Sequence, residues 1–407
     1  VGTMDELISP VVVARLRAAL AAVAPSSDFP ALVEAEGAVR DVRLRKRVDV
    51  VRDALLSDVP AGFAAAERVV LDVVDEPRFG GWMIWPTTEF IASRALETGS
   101  TRDFDAAMAL LARLTVGLTG EFAVRELLNA RPERGLRIMQ TWTGHDSEHV
   151  RRLATEGSRA YLPWAKRVPW LLGHPRATRA ILDATYRDPA EYVRRSVANH
   201  LNDLSRVEPS VVTDAAAAWA GEPDANTPWV LRHGLRTLIK QADPSALALV
   251  GFTGSSLRVA RLRIPADVVP WGGDLTFTAV VTNDGETEAT VAIDYSIGFR
   301  RANGSVSAKT FKLGSRRIPA GGSSVVTKTH SFRPITTRTY HPGPHHVTVQ
   351  ANGVLSPPEG FVLGRADGQE DGHDHAADSA GGGPESVGMV DANSTGHPID
   401  GGREGRS

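Results

Sequence analysis

Three stretches set the architecture: EHVRRLATEGSRA at residues 148–160, EYVRRSVANHLND at 191–203 and PWVLRHGLRTLIK at 228–240. They can be laid over one another, and their starts are 43 and 37 residues apart. Each carries apolar residues at helical spacing, and a helical unit recurring about every 40 residues matches the two- or three-helix solenoids of the HEAT and armadillo kind. One such unit cannot bury its apolar face alone; stacked neighbours share a continuous core and leave a concave surface. Val150, Val193 and Val230 occupy one register of the repeat and are expected to face that core.

Residues four apart share a helix face, so each repeat offers a line of side chains. The lines are Arg152 with Glu156, then Arg195 with Asn199 and Asp203, then Arg232 with Arg236 and Lys240. A preceding helical stretch, GEFAVRELLNA at 120–130, adds Glu121 and Arg125 at the same spacing. Three carboxylates among several cations on one face suit a polyanion lying where chemistry needs local negative charge. The plainer alternative is salt bridging along a solvated helix face, which spacing alone does not displace. Trp164 follows in the loop YLPWAKR. It is either a packing residue or an exposed ring able to hold a cation by a contact of roughly 0.5–2 kcal/mol.

Outward from these repeats the chain has three textures. Helical periodicity, as in ISPVVVARLRAALAAVA and DAAMALLARLTVGL, holds from the start to about Phe252. From about Ser256 to Leu363 it gives way to short runs rich in Val, Thr, Ile and Phe, such as DLTFTAVVTN, ATVAIDYSIGF, SSVVTKTHSF and HHVTVQA, punctuated by NDG, ANG and AGG. About seven strands over some 100 residues suggest an immunoglobulin-like β-sandwich, without the Cys–Trp–Cys hallmark. From Gly364 to the end, Gly, Asp, His and Ser leave almost nothing to bury, and the segment reads as a disordered acidic tail. The expected organisation is thus an α-solenoid over 1–252, a sandwich over 256–363 and a tail over 364–407.

The 407 residues, 42% hydrophobic, suffice for more than one core. The net charge of −2 conceals an uneven distribution. The sandwich has 12 Lys or Arg against 7 Asp or Glu, whereas the tail has 3 against 9. A basic sandwich suits contact with phosphate, its alternative being an ordinary charged surface or a surface for protein partners; the pairs Arg300-Arg301 and Arg316-Arg317 favour phosphate. The absence of cysteine excludes disulfides, zinc–thiolate sites and cysteine nucleophiles. No apolar run reaches the roughly 18 residues of a membrane span, and VGTMDELISP lacks the regions of a signal peptide, so a cytoplasmic location without membrane contact is expected. No P-loop or Rossmann fingerprint is present, and no cofactor is expected. His373, Asp374 and His375 in the tail, and His341, His345 and His346 near prolines in an expected loop, have the residue types of metal ligands but no ordered partner set, and no metal is expected.

At these residues the chain resembles the AlkC-type 3-methyladenine DNA glycosylases, relatives of the AlkD-type enzymes built from HEAT-like repeats. The resemblance lies in GEFAVREL (120–127), SEHVRRLATEGSR (147–159) with LPWA (162–165), EYVRRSVANHLNDLS (191–205), and LRTLIK followed by ALALVGF; it covers most of 80–252. The sandwich resembles the immunoglobulin-like domain of one subgroup. The resemblance implies a bacterial base-excision repair enzyme, acting as a monomer on double-stranded DNA that carries alkylated, cationic bases. It puts Glu121, Glu156 and Asp203 at the family's acidic active-site positions and Trp164 at its aromatic one. Arg152, Arg159, Lys166, Arg195, Asn199, Arg232, Arg236 and Lys240 are expected at the DNA. Arg159-Ala160-Tyr161 departs from the expected Pro and second basic residue after the first Arg, which removes one expected link to phosphate. The family is expected to leave the lesion stacked and reach its deoxyribose from the groove. The alternative is a non-catalytic DNA- or protein-binding solenoid, against which the retained acids and Trp164 count.

Overall fold

The first α-helix, Pro10–Val23, begins where its sequence says it should: the Ser9 hydroxyl accepts from the Val12 amide and proline occupies the first turn, where its missing N–H is not needed. Helices continue to Pro244–Leu249, whose Asp243 carboxylate caps the Ala246 amide at 2.8 Å. The computed structural model describes residues 4–252, 256–335 and 338–364. The expected acidic tail beyond Gly364, with His373, Asp374 and His375, lies outside the described residues.

The three repeated stretches form the helices Glu148–Gly157, Glu191–Leu204 and Thr227–Gly234, each packed on the next. Each is backed by the helix before it: Pro132–Trp142, Arg179–Thr185 and Pro209–Gly221 in turn. Val150, Val193 and Val230 are all 0% exposed, so the register read from sequence is the buried one. Burying each contributes roughly 1.5–3 kcal/mol, which ties the stacking order to the sequence.

Local departures matter for the site. The helix Ala123–Ala130 starts after Glu121, so Glu121 and Arg125 do not share a helix face as the spacing suggests. The first repeat helix ends at Gly157, leaving Arg159 beyond it. A Cβ on Gly157 would stand 2.6 Å from Val124 Cγ1, so glycine lets this helix end lie directly on Ala123–Ala130. The third stretch is interrupted: Leu235 separates Thr227–Gly234 from Arg236–Lys240, so Arg232 and Arg236 are not on one continuous helix. At Gly234 a Cβ would meet Leu201 Cδ2 at 2.8 Å, and the neighbouring repeat helix fills that space instead.

The second region is a β-sandwich of nine strands among the described residues, against about seven expected. They are β1 (Leu257–Val259), β2 (Val268–Val269), β3 (Asp274–Asn283), β4 (Ala289–Arg300), β5 (Val306–Ile318), β6 (Ser323–Ser331), β7 (Gly343–Ala351), β8 (Val354–Leu355) and β9 (Glu359–Leu363). One sheet has the order β1-β3-β6 and the other β2-β9-β7-β4-β5, with β8 beside β7. Alternation sets the inner face: Leu275, Phe277, Ala279 and Val281 of β3 are buried, while the threonines between them pair across to β6. The edge strand β5 lacks such alternation and exposes Lys309, Lys312, Arg316 and Arg317, a composition that guards an exposed edge against strand addition. His345 and His346 lie within β7, not in a loop, and the His345 ring is buried beside Phe361. The sandwich meets the helices where Gln350 Nε2 donates to the Lys240 carbonyl at 3.2 Å. No helix among the described residues is long and apolar enough to cross a membrane.

Candidate active site

The carboxylates picked out by spacing are drawn together by arginines. Arg159 lies at the centre: its Nη1 donates to Glu156 Oε1 at 2.7 Å and its Nε to Asp203 Oδ2 at 2.8 Å. Its side chain is 9% exposed, against 8% for Glu156 and 6% for Asp203. Arg152 forms the second bridge, donating through Nη1 to Glu121 Oε2 at 2.5 Å and to Thr119 Oγ1 at 3.0 Å, with Nη2 3.4 Å from Glu156 Oε1. The sequence of charges is therefore Glu121, Arg152, Glu156, Arg159, Asp203, supplied by two successive repeats and the turns beside them.

The scaffold beneath this row is polar and hydrogen-bonded, although Arg125 Nη2 is buried without a partner. The Ser196 hydroxyl donates to Glu156 Oε2 at 2.6 Å and stands 2.6 Å from the Thr155 hydroxyl. His200 is fully buried, with Nδ1 2.9 Å from the Thr155 carbonyl and Nε2 3.1 Å from the Thr178 hydroxyl. A carbonyl can only accept, so Nδ1 carries the proton of a neutral ring and Nε2 accepts from Thr178. Burial pushes the His200 pKa down to about 4, which keeps the ring neutral. Arg125 is 0% exposed and is spent on backbone: Nε donates to the Lys166 carbonyl at 2.5 Å, and Nη1 to those of Gly157 and Arg159 at 3.0 and 2.7 Å. Burial, then the Arg159 charge, lower its pKa to about 10. It closes the turn that carries Arg159 into place.

The two deeper carboxylates differ electrostatically. Burial opposes the charge on Glu156, but Arg152, Arg159 and the Ser196 hydroxyl outweigh it and hold its carboxyl below the usual carboxylate range. Burial also opposes the charge on Asp203, and there the guanidinium of Arg159 compensates only in part, so its pKa is raised. One carboxylate is thus held ionised and its neighbour is inclined towards a proton, the kind of divergence that separates an electrostatic role from a basic one.

Trp164 is 78% exposed and adopts φ 60°, a left-handed conformation that is unfavourable for a residue with a Cβ. The packing alternative for this ring is therefore excluded. The other sequence candidates divide. Arg159, expected at phosphate, is corrected to a buried residue whose guanidinium is occupied by the two carboxylates. Lys166 is exposed and pairs with Glu126 at 2.6 Å. Arg195 is exposed and pairs with Glu191 at 2.5 Å on its own helix. The Asn199 amide oxygen accepts from Arg236 Nη2 at 3.1 Å and lies 3.0 Å from His233 Nε2. Arg232 and Lys240 are exposed. Sequence reasoning missed Thr119, Ser196 and His200, and Tyr192, whose ring lies 5.0 Å beneath the Arg152 guanidinium. The available signal for two of them was Ser196 and His200 at i, i+4 on the face that otherwise carries Val193, Val197 and Leu201 into the core.

Comparison with known proteins adds to this geometry. Residues 258–365 match the family model described as "Uncharacterised protein YhaZ, C-terminal Ig-like domain". The chain is 32% identical over 316 residues to the Bacillus subtilis (strain 168) "Uncharacterized protein YhaZ", covering 77% of this chain and 86% of that one. It also superposes on the Pseudomonas fluorescens alkylpurine DNA glycosylase AlkC, solved bound to DNA containing an abasic site analog, with a TM-score of 0.76 and 30% identity over 90% of this chain and 100% of that one. Shared helical repeats, a shared C-terminal sandwich and identity at this level over most of both chains have one consequence: the chain belongs to the AlkC-type alkylpurine DNA glycosylases, in the subgroup that carries a C-terminal immunoglobulin-like domain.

Proposed function

We propose that this protein hydrolyses the N-glycosidic bond of cationic alkylated purines, 3-methyladenine above all, in duplex DNA, and that Glu121, Glu156, Asp203 and Trp164 form its active site. The observation that carries the proposal is the Arg159-bridged pair Glu156 and Asp203, two buried carboxylates in unlike electrostatic states. Methylation at N3 or N7 places a positive charge on the base, so the base departs neutral when the bond to C1′ breaks and needs no protonation. The developing sugar cation is what requires stabilisation. Glu156, held ionised, supplies a fixed negative charge for it, and Asp203, with its raised proton affinity, takes the proton as a water oxygen bonds to C1′. The products are the free base and an abasic site. In this reading Trp164 meets the lesion or its sugar from outside the stack, without base flipping; its exposure and its left-handed backbone support that role. Lys166, Arg195, Arg232, Arg236 and Lys240 are assigned to the DNA backbone, whereas Arg152, expected there, is occupied by Glu121 and Glu156 as Arg159 is by Glu156 and Asp203. The domain boundaries carried with this reading are 1–252 for the glycosylase solenoid and 256–363 for a DNA-contacting sandwich.

Base release from duplexes carrying defined 3-methyladenine, 7-methylguanine or 3-methylcytosine tests the proposal. Glu156→Gln and Asp203→Asn keep shape while removing charge, and each is expected to slow excision about a hundredfold or more, the effect of losing roughly 2.7–4 kcal/mol of transition-state stabilisation. DNA binding without release of free base by the wild-type protein would leave the non-catalytic scaffold in its place.

A further inference from the structure

Glu89 is a buried carboxylate outside the site, 5% exposed on the helix Ile84–Thr98, and the chemistry above makes no use of it. It accepts from Arg45 Nη1 at 2.5 Å and again from Arg45 Nη2, with Arg52 Nη1 3.7 Å away; both arginines come from the helix Leu44–Asp58. Its Oε1 also accepts from the Trp85 indole N–H at 2.8 Å, one helical turn earlier. That bond fixes the rotation of a ring that is 5% exposed and stacked on Phe122, with centroids 4.4 Å apart and planes 20° apart. Phe122 is the residue after Glu121 and directly precedes the helix Ala123–Ala130.

Glu121 has no helical backbone to hold it, since the helix begins two residues later. Its own bonds, to Arg152 and Thr119, lie on the site side only. Backbone bonds from Gly120 N to Thr115 Oγ1 and from Val124 N to the Gly120 carbonyl hold the chain on either side, and the stack on Trp85 seats the ring of the next residue. We infer that Phe122, Trp85 and Glu89 are positioning residues for Glu121: the Arg45–Glu89 pair orients the indole, the indole seats Phe122, and Phe122 sets the distance from Glu121 to Arg152 and Glu156. The N-terminal helices, which contribute no residue to the carboxylate row, thereby enter the reaction. This inference rests on the assignment of Glu121 proposed above.

The test is a double-mutant cycle in the full chain between Phe122→Leu and Glu121→Gln, read as single-turnover excision of 3-methyladenine from duplex DNA, with Kd for an abasic-analogue duplex and Tm measured alongside. Small displacements of a reacting group reduce rate strongly, and Phe122→Leu is expected to slow excision about ten- to a hundredfold with Kd and Tm unchanged. Phe122→Tyr, which keeps the ring, should restore the rate. In the Glu121→Gln background Phe122→Leu should add nothing, because both act through one carboxylate. Trp85→Phe, which retains an aromatic ring but loses the N–H, gives a second variant with an intermediate loss. Additive losses in the cycle, or a rate loss matched by a fall in Tm, would overturn the inference. A wild-type rate for Glu121→Gln alone would overturn it too, and the Glu156 and Asp203 variants then show whether the glycosylase reading stands without Glu121.

Discussion

Replacing Arg159 by methionine tests the centre of the site most severely. The substitution keeps length and apolar bulk but removes the cation lying 2.7 Å from Glu156 and 2.8 Å from Asp203. Glu156 keeps Arg152 at 3.4 Å and the Ser196 hydroxyl, whereas Asp203 loses its hydrogen-bonded guanidinium and keeps only the weaker influence of Arg206. With both carboxylate side chains under a tenth exposed, breaking the cluster leaves an uncompensated buried charge, at a cost of about 3–5 kcal/mol. That is a large share of the roughly 5–15 kcal/mol by which a domain is stable. The sign with pH follows from Asp203. Its pKa is already raised in the folded protein and rises further without Arg159, so the folded variant takes up a proton that the unfolded chain, with an ordinary pKa of about 3.9, does not. The variant's deficit is therefore greatest at pH 8 and shrinks as pH falls through the new Asp203 pKa. Urea melts of both proteins at pH 8 and pH 5.5 measure it, and Arg159→Met combined with Asp203→Asn should recover part of the loss at pH 8. A deficit under about 1 kcal/mol at pH 8, unchanged at pH 5.5, would refute the clamp, because it falls within the range of ordinary surface pairs.

Trp164→Ala should leave Tm unchanged, since the ring is 78% exposed and surface substitutions stay within about 0.5 kcal/mol, while excision of cationic bases falls; a marked drop in Tm would contradict the exposed placement. Neutralising Lys309, Lys312, Arg316 and Arg317 on β5 together should lower the slope of log affinity against log salt by about 0.9 for each phosphate that the strand no longer neutralises, and an unchanged slope would turn this edge towards protein partners. His200, with its pKa lowered from 6.5 to about 4, stabilises the fold fully above pH 6.5 and loses about 1.4 kcal/mol per pH unit as pH falls towards 4, because only the unfolded chain takes up the proton there. Chemical melts at pH 7, 6 and 5 should therefore show a slope shallower by about one proton in His200→Gln; equal slopes would mean that the ring is not held neutral.

Helix register and strand alternation are local periods that burial must obey, so the helical repeat and the change to strands near residue 256 were legible in the chain alone, whereas Glu121, Glu156 and Asp203 were singled out only with the help of the family resemblance. Val150, Val193 and Val230 at 0% exposure show how closely the period predicts the buried face. Spacing could not say which cation meets which carboxylate. Arg159 read as a phosphate ligand, yet the chain turns after Gly157, and Arg125 fixes that turn through three carbonyls, sending the guanidinium inward between residues 44 positions apart at Asp203 and three apart at Glu156. Trp164 likewise stood between packing and exposure until its loop was placed, since a tryptophan fits either a core or a binding surface. Side-chain pairing across repeats depends on where helices end and how closely they approach, here through Gly157 and Gly234, and those are properties of packing in three dimensions that no one-dimensional period carries.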